Sequence, residues 1–293
     1  MGIDISLALK PEQSFTLTQL LSIMPKDHRI GISDIDYSLT ALRAEANYSD
    51  CYLTIYNAVN IGRGFSIALK EDKLAMRLNT GCAAVDIDIF HYYLKEIIDR
   101  LQIKVFHIDN TPVSVASLED IFISIRVANL DFIKNQIAAK KVECVWGALF
   151  PIFFEDDFLE KLANQSGGRF LDYYGSYLDD KQQIDAYYCK NLIYESKNNH
   201  SPVGMYVLTE DIPSIFPTAE LDPFFSGNVR IDRQIVGLVY DIKENDSHQK
   251  FQISYDDFIS YIDLSKSEPF DKKRVIYTLI RRDIEKLLPY RIA

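Results

Sequence analysis

The apolar residues between Tyr48 and Leu101 change their spacing once, and that change most constrains what this chain can fold into. Cys51, Leu53 and Ile55 alternate with Tyr52, Thr54 and Tyr56, then Phe65, Ile67 and Leu69 alternate with Ser66, Ala68 and Lys70, and Leu74, Met76 and Leu78 continue the pattern. Successive side chains of a strand point to opposite faces, so a period of two predicts strands with one apolar face. Gly62-Arg63-Gly64 and Glu71-Asp72 are short enough to be hairpin turns, which makes the stretch an antiparallel meander. After Gly81 the spacing becomes that of one helical face, carried by Ile87, Phe90, Leu94, Ile97, Ile98 and Leu101.

Other segments extend the pattern. Ile3, Ile5, Leu7 and Leu9 predict a strand that Pro11 ends, and Thr16 with Gln19 predicts a capped helix to about Met24, with Phe15 packed on Leu20. Lys104 to Ile108 reads as a strand and Pro112 as a break. Ser117-Leu118-Glu119-Asp120 reads as the cap of a helix to about Lys141, with Ile121, Phe122, Ile125, Phe132, Ile133 and Ile137 on one side. Glu155-Asp156-Asp157 opens a helix to about Asn164, which Gly167-Gly168 stops. The tyrosine-rich stretch from Phe170 to Thr209 and the apolar run Ile231 to Ile242 predict strands. Ser254 caps a short helix to about Ile262, and Ile276 through Leu288 predict a final helix stopped by Pro289. Strands and helices do not alternate regularly. The expected class is therefore α+β, with antiparallel sheets packed against several helices, in subdomains 1–112 and 113–293.

Composition excludes several classes. With 47% apolar and 25% charged residues the chain folds around a core, and 32 basic against 42 acidic residues, a net charge of −10, argues against a nucleic-acid partner. The N-terminal residues lack the features of a secretory signal, which predicts the cytoplasm. The apolar run Val145 to Phe154, interrupted by Pro151, is far short of the ~20 residues of a membrane span. Cys51, Cys82, Cys144 and Cys189 are too widely spaced for a zinc knuckle or redox pair and read as free thiols.

Specific catalytic fingerprints are missing, and no cofactor is implied. Gly62-Arg63-Gly64 and Ser166-Gly167-Gly168-Arg169 read as turns that could also offer amides and a guanidinium to an anion. Asp86, Asp88 and His91, near the start of a helix, with His107 and Asp109 at the end of the next strand, include a candidate metal set of Asp88, His91, His107 and Asp109. The helix dipole and core packing account for the same residues without a metal. Cys82 precedes that helix and is a candidate nucleophile with His91 or His107 as base, or else a residue filling a core gap. The pairs Asp156-Asp157 and Asp179-Asp180 read as solvated charge. The short basic clusters Lys140-Lys141, Lys272-Lys273-Arg274 and Arg281-Arg282 read as solvated helix faces. Tyr173, Tyr174, Tyr177, Tyr187, Tyr188 and Tyr194 crowd a stretch that also holds Asp172, Asp179, Asp180 and Asp185. Such a patch is suited to a basic protein or peptide, or belongs to the half-exposed face of a sheet.

The run Phe251-Gln252-Ile253-Ser254-Tyr255-Asp256-Asp257-Phe258, after the strand Val236 to Asp241 and before a terminal helix, resembles the end of a family of uncharacterised bacterial proteins of about 300 residues. The resemblance implies a bacterial cytosolic origin and carries over no functional residue. Three functions follow as expectations: an interaction module for a basic partner, a hydrolase or transferase at Cys82 or at the metal set, and a small-ligand carrier.

Overall fold

The computed structural model describes residues 2–33, 39–40, 51–70, 72–196, 200–219, 231–241 and 248–292. Residues 48–50, Glu71 and Ile242, which bound some of the predicted strands and turns, lie outside the described residues. The fold is α+β, and the chain divides into two compact units, Met1–Gln183 and Ile184–Ala293. Pro112 lies in a strand of the first unit.

The first unit runs β1 (Gly2–Ala8), α1 (Leu17–Ser22), β2 (His28–Ser33), β3 (Leu39–Thr40), β4 (Tyr52–Asn57), β5 (Phe65–Leu69), β6 (Lys73–Asn79), α2 (Ala84–Leu101), β7 (Val105–Ile108), β8 (Thr111–Ser114), α3 (Leu118–Ala138), β9 (Cys144–Trp146), β10 (Pro151–Phe153), α4 (Asp156–Ala163) and α5 (Gly168–Gln182). Strands β1 to β8 form one sheet in the order β3-β2-β4-β5-β6-β1-β7-β8, with every described pairing antiparallel. The meander expected from the period of two is β4-β5-β6. Its apolar face, with Ile5 and Leu7 of β1, packs in one core with Ile87, Phe90, Leu94, Ile97 and Ile98 of α2. Full burial of each such side chain stabilises by about 1.5–3 kcal/mol.

Local chemistry sets the boundaries. The Thr16 hydroxyl accepts from the Gln19 amide and the Gln19 side chain accepts from the Thr16 amide, the reciprocal cap expected at α1. Asp109 and Asn110 join β7 to β8 at φ of 48° and 70°, the left-handed pair that a two-residue hairpin turn requires and that Asp and Asn tolerate. Pro112 is thus a residue of an edge strand. Helix α3 begins as predicted near Ser117, but Ser117 makes no cap hydrogen bond. The chain enters through a 3-10 turn, Val115–Ser117, which Ser114 caps through the Ala116 amide.

Two expected boundaries between strand and helix are corrected. The stretch from Phe170 does not open as a strand: residues 168–182 are α5, because Phe170, Tyr174, Leu178 and Gln182 recur every four residues and bury one stripe. The predicted final helix starts later, since Ile276 lies in a strand and only Arg281–Leu287 is α-helical. The run Val275-Ile276-Tyr277-Thr278 is β-branched and aromatic, which suits a strand, and a short apolar run does not separate the two periods.

The second unit runs β11 (Tyr187–Tyr188), β12 (Leu192–Glu195), β13 (Pro202–Thr209), β14 (Pro213–Pro217), β15 (Arg233–Tyr240), β16 (Gln249–Ser254), α6 (Tyr255–Tyr261), β17 (Glu268–Asp271), β18 (Arg274–Thr278) and α7 (Arg281–Leu287). Two four-stranded sheets, β11-β14-β18-β17 and β12-β13-β15-β16, each contain one parallel pair, β11-β14 and β13-β15. Leu208, Val236, Leu238 and Ile253 from one sheet share a core with Phe216 and Tyr277 from the other and with Phe258 and Ile284 of the helices. Ser254 caps α6 as expected, accepting from the Asp257 amide at 3.0 Å. The cluster Lys272-Lys273-Arg274 is not on a helix. It turns β17 into β18, and Arg274 is buried against Asp271 at 2.6 Å because their hairpin sets the two side chains side by side. Among the described residues no helix is long and apolar enough to cross a membrane.

Candidate functional site

Helices α4 and α5 carry an acidic face with aromatic rings set into it. The dipole favours Asp156 and Asp157 in the first turn of α4, and Phe158 and Leu162 anchor that helix inward. On α5 the buried stripe leaves Asp172, Ser176 and Asp180 exposed along one side, with Tyr173 and Tyr177 half-buried beside them. Between residues 155 and 180 seven acidic side chains face two basic ones. The Tyr177 ring stacks on Phe158 at 3.6 Å between centroids and the Tyr173 ring at 5.5 Å. The Tyr177 hydroxyl donates to Glu155 Oε2 at 3.2 Å, and Lys181 Nζ lies 3.4 Å from the same oxygen. Both rings are thus held in place by the protein's own contacts.

The remaining members of the tyrosine group lie elsewhere. Tyr174 is buried and its hydroxyl donates to the Gly81 carbonyl at 2.7 Å; burial pushes it well above the ordinary phenol range. Asp179 faces inward in part and accepts from the Ile61 amide at 2.6 Å and from Gln183 Nε2 at 3.0 Å. Tyr187 and Tyr188 form β11 and Tyr194 lies in β12, in the second unit, so the sequence cluster is divided between the two units. The Tyr188 ring stands 5.4 Å from the buried Arg274 guanidinium, with Phe270 at 5.1 Å.

A second group of polar side chains is buried where β4, β5, α2, α3 and α5 approach one another. Asp86, fully buried in the first turn of α2, accepts from the backbone amides of Arg63 at 2.9 Å, Gly64 at 2.7 Å and Ala83 at 2.8 Å. Burial pushes its carboxyl up to about 6, against the pull of those three amides and of the Arg63 guanidinium. The loop Gly62-Arg63-Gly64 therefore does offer amides to an anion, and the anion belongs to the chain itself. Gly62 is required there, since a Cβ would stand 2.4 Å from both Asp86 oxygens. Arg63 donates to the carbonyls of Trp146, at 2.8 Å, and Thr80. Gln182 Nε2 donates to the Ile61 and Gly62 carbonyls at 3.0 and 2.6 Å.

Cys82 lies in this group, 1% exposed. The Asn129 carbonyl oxygen accepts from the Gly81 amide at 2.8 Å and the Cys82 amide at 3.2 Å, and stands 3.5 Å from the Cys82 sulfur. Burial first, and the Asp86 charge second, push the thiol well above its ordinary range, which keeps it protonated and poorly nucleophilic. Neither imidazole considered as its base is among its hydrogen-bond partners. His91 stacks on Phe122 at 4.2 Å with Nε2 3.4 Å from Glu119 Oε1, and His107 sits in β7 opposite Ser6 of β1. Asp88 pairs with Arg126, and Asp109 accepts from the Asp4 amide at 3.3 Å. Asp88 and His91 thus turn from α2 to residues of α3, while His107 lies in β7 and Asp109 in the turn after it. Among the described residues no group of three or more His, Cys, Asp or Glu side chains is placed to hold a metal ion.

Asn129 and Gln182 were not candidates from sequence, and Arg63 was one only within a turn that could meet an anion. Their partners are mainly backbone groups, which carry no residue signature; the glycines flanking Arg63 are the only local signal.

Fold and surfaces together define an α+β protein with a polar-tied interior and an acidic, tyrosine-bearing helical face. The model of a family described as a domain of unknown function, DUF4299, matches residues 4–287, and the chain belongs to that family. No curated protein and no solved structure matches it.

Proposed function

We propose that this chain is an interaction module that takes a basic partner, a lysine- or arginine-rich polypeptide segment, on the α4–α5 face of its first unit. One observation carries the reading: Tyr173 and Tyr177, braced on Phe158, lie beside the exposed carboxylates of Asp172 and Asp180. Tyrosine rings supply contact area, the Tyr177 ring already carrying the protein's own Lys181 ammonium 5.4 Å from its centroid, and the carboxylates select positive charge and steer its approach.

The test is a binding titration of the full chain with a lysine-rich peptide at low and high salt. Binding is expected at low salt and is expected to weaken as salt screens it. Asp172→Asn with Asp180→Asn should weaken it by about tenfold, a larger loss than from Asp256→Asn with Glu268→Gln, which removes equal charge from exposed sites of the second unit. Equal losses from both pairs, or no binding at low salt, would contradict the reading.

A further inference from the structure

Tyr261, the last residue of α6, and Tyr290, in the 3-10 turn that follows α7, lay their rings one on the other in the second unit. The centroids are 4.0 Å apart and the planes 22° from parallel, and each residue is 40% exposed. Their hydroxyls are hydrogen-bonded to each other. Both C–O bonds therefore point the same way, and the carbons ortho to one hydroxyl lie over those ortho to the other. Two other tyrosine pairs lack this arrangement. Tyr92 meets Tyr93 edge-on, at 5.3 Å and 85°, with Tyr93 buried, and Tyr206 and Tyr255, 6.1 Å apart, are both withdrawn from solvent.

From this geometry we propose that Tyr261 and Tyr290 are an oxidative modification site, where a one-electron oxidant joins the two rings into a dityrosine. Each tyrosine gives one electron to the oxidant and its phenolic proton to water. The two phenoxyl radicals then pair their odd electrons in a carbon–carbon bond between ortho positions. That bond forms along the π lobes, perpendicular to the rings, so stacked rings present the reacting carbons to each other and edge-on rings do not. The two ortho protons leave to water and two protons return to the oxygens, which restores both aromatic rings. In sum the pair loses two electrons and two protons. Exposure admits the oxidant to both rings. The product closes residues 261–290, with β17, β18 and α7 between them, into a covalent loop, which restricts the unfolded chain as a disulfide would.

The full chain is oxidised at low micromolar concentration with a photo-excited ruthenium polypyridyl complex and persulfate, which takes up the two electrons as it splits into two sulfates. Monomeric product from the wild type is expected to yield tryptic peptides 251–266 and 287–291 joined, lighter by two hydrogen atoms than their sum. Tyr290→Phe and Tyr261→Phe should each abolish the joined pair, the second because Tyr255, in the same peptide, is buried and does not replace it. Tyr52→Phe, which removes a ring 49% exposed in the first unit, should leave the yield unchanged. Dityrosine found only between other peptides, no dityrosine under conditions that couple free tyrosine, or a joined pair that survives Tyr261→Phe would each overturn the proposal.

Discussion

The first unit uses its carboxylates in two opposite ways. Asp86 is withdrawn from water and spent on three backbone amides that tie the loop after β4 to the start of α2. Asp172 and Asp180 lie in water beside two braced tyrosines. A buried carboxylate must be satisfied within the protein and is then a fixed part of the fold, whereas an exposed one contributes little to stability and is available to a partner. The two sets should therefore separate by experiment, the inner one governing stability and the outer one binding.

The largest effect is expected from Asp86→Ala. Three buried amides lose their acceptor, and the cost should be about 3 kcal/mol or more in urea unfolding followed through Trp146, whose carbonyl belongs to the same network. Gly62→Ala pushes a methyl group into the Asp86 carboxylate and should cost about 1–3 kcal/mol in the same measurement, by overpacking alone.

A smaller effect has a definite sign with pH. The Asp86 carboxyl titrates at about 6 in the folded chain and near 3.8 when unfolded, so between those values the folded state holds the extra proton. Its contribution therefore rises as pH falls from 7 toward 4 and is lost as pH rises through about 6. Between pH 7 and 5 this amounts to about 1 kcal/mol. Burial lowers the His28 imidazole, which acts in the opposite direction as pH falls. The wild type is accordingly compared with Asp86→Asn, where the Asp86 contribution should vanish and that of His28 remain; identical pH profiles would refute it. Smallest of all, Asp172→Asn should move stability by under about 0.5 kcal/mol, since its side chain is exposed.

The same contrast explains what could be read from the sequence. Side-chain periodicity announced the meander and α2, and side-chain caps announced α1 and α6, because in each the residue type itself carries the physics. Helix α5 was hidden: Gly167-Gly168 reads as a stop, yet Gly167, at φ 57°, sits at its N-terminal cap, and aromatic residues favour strands. Tyr173, Tyr177, Asp172 and Asp180 were legible as a group, but their place on a helix braced by Phe158 was not. Asp86 was visible only as a charge near a helix start, since its partners are amides that every residue possesses.

Mapping where a lysine-rich peptide lands tests the central claim most directly, by following backbone amide resonances of the full chain during a titration. Shifts concentrated in Asp156–Ala163 and Gly168–Gln182, with loss of the perturbation in the variant neutralised at Asp172 and Asp180, are the predicted result. Perturbations centred on the second unit, or spread evenly over acidic surface everywhere, would contradict it.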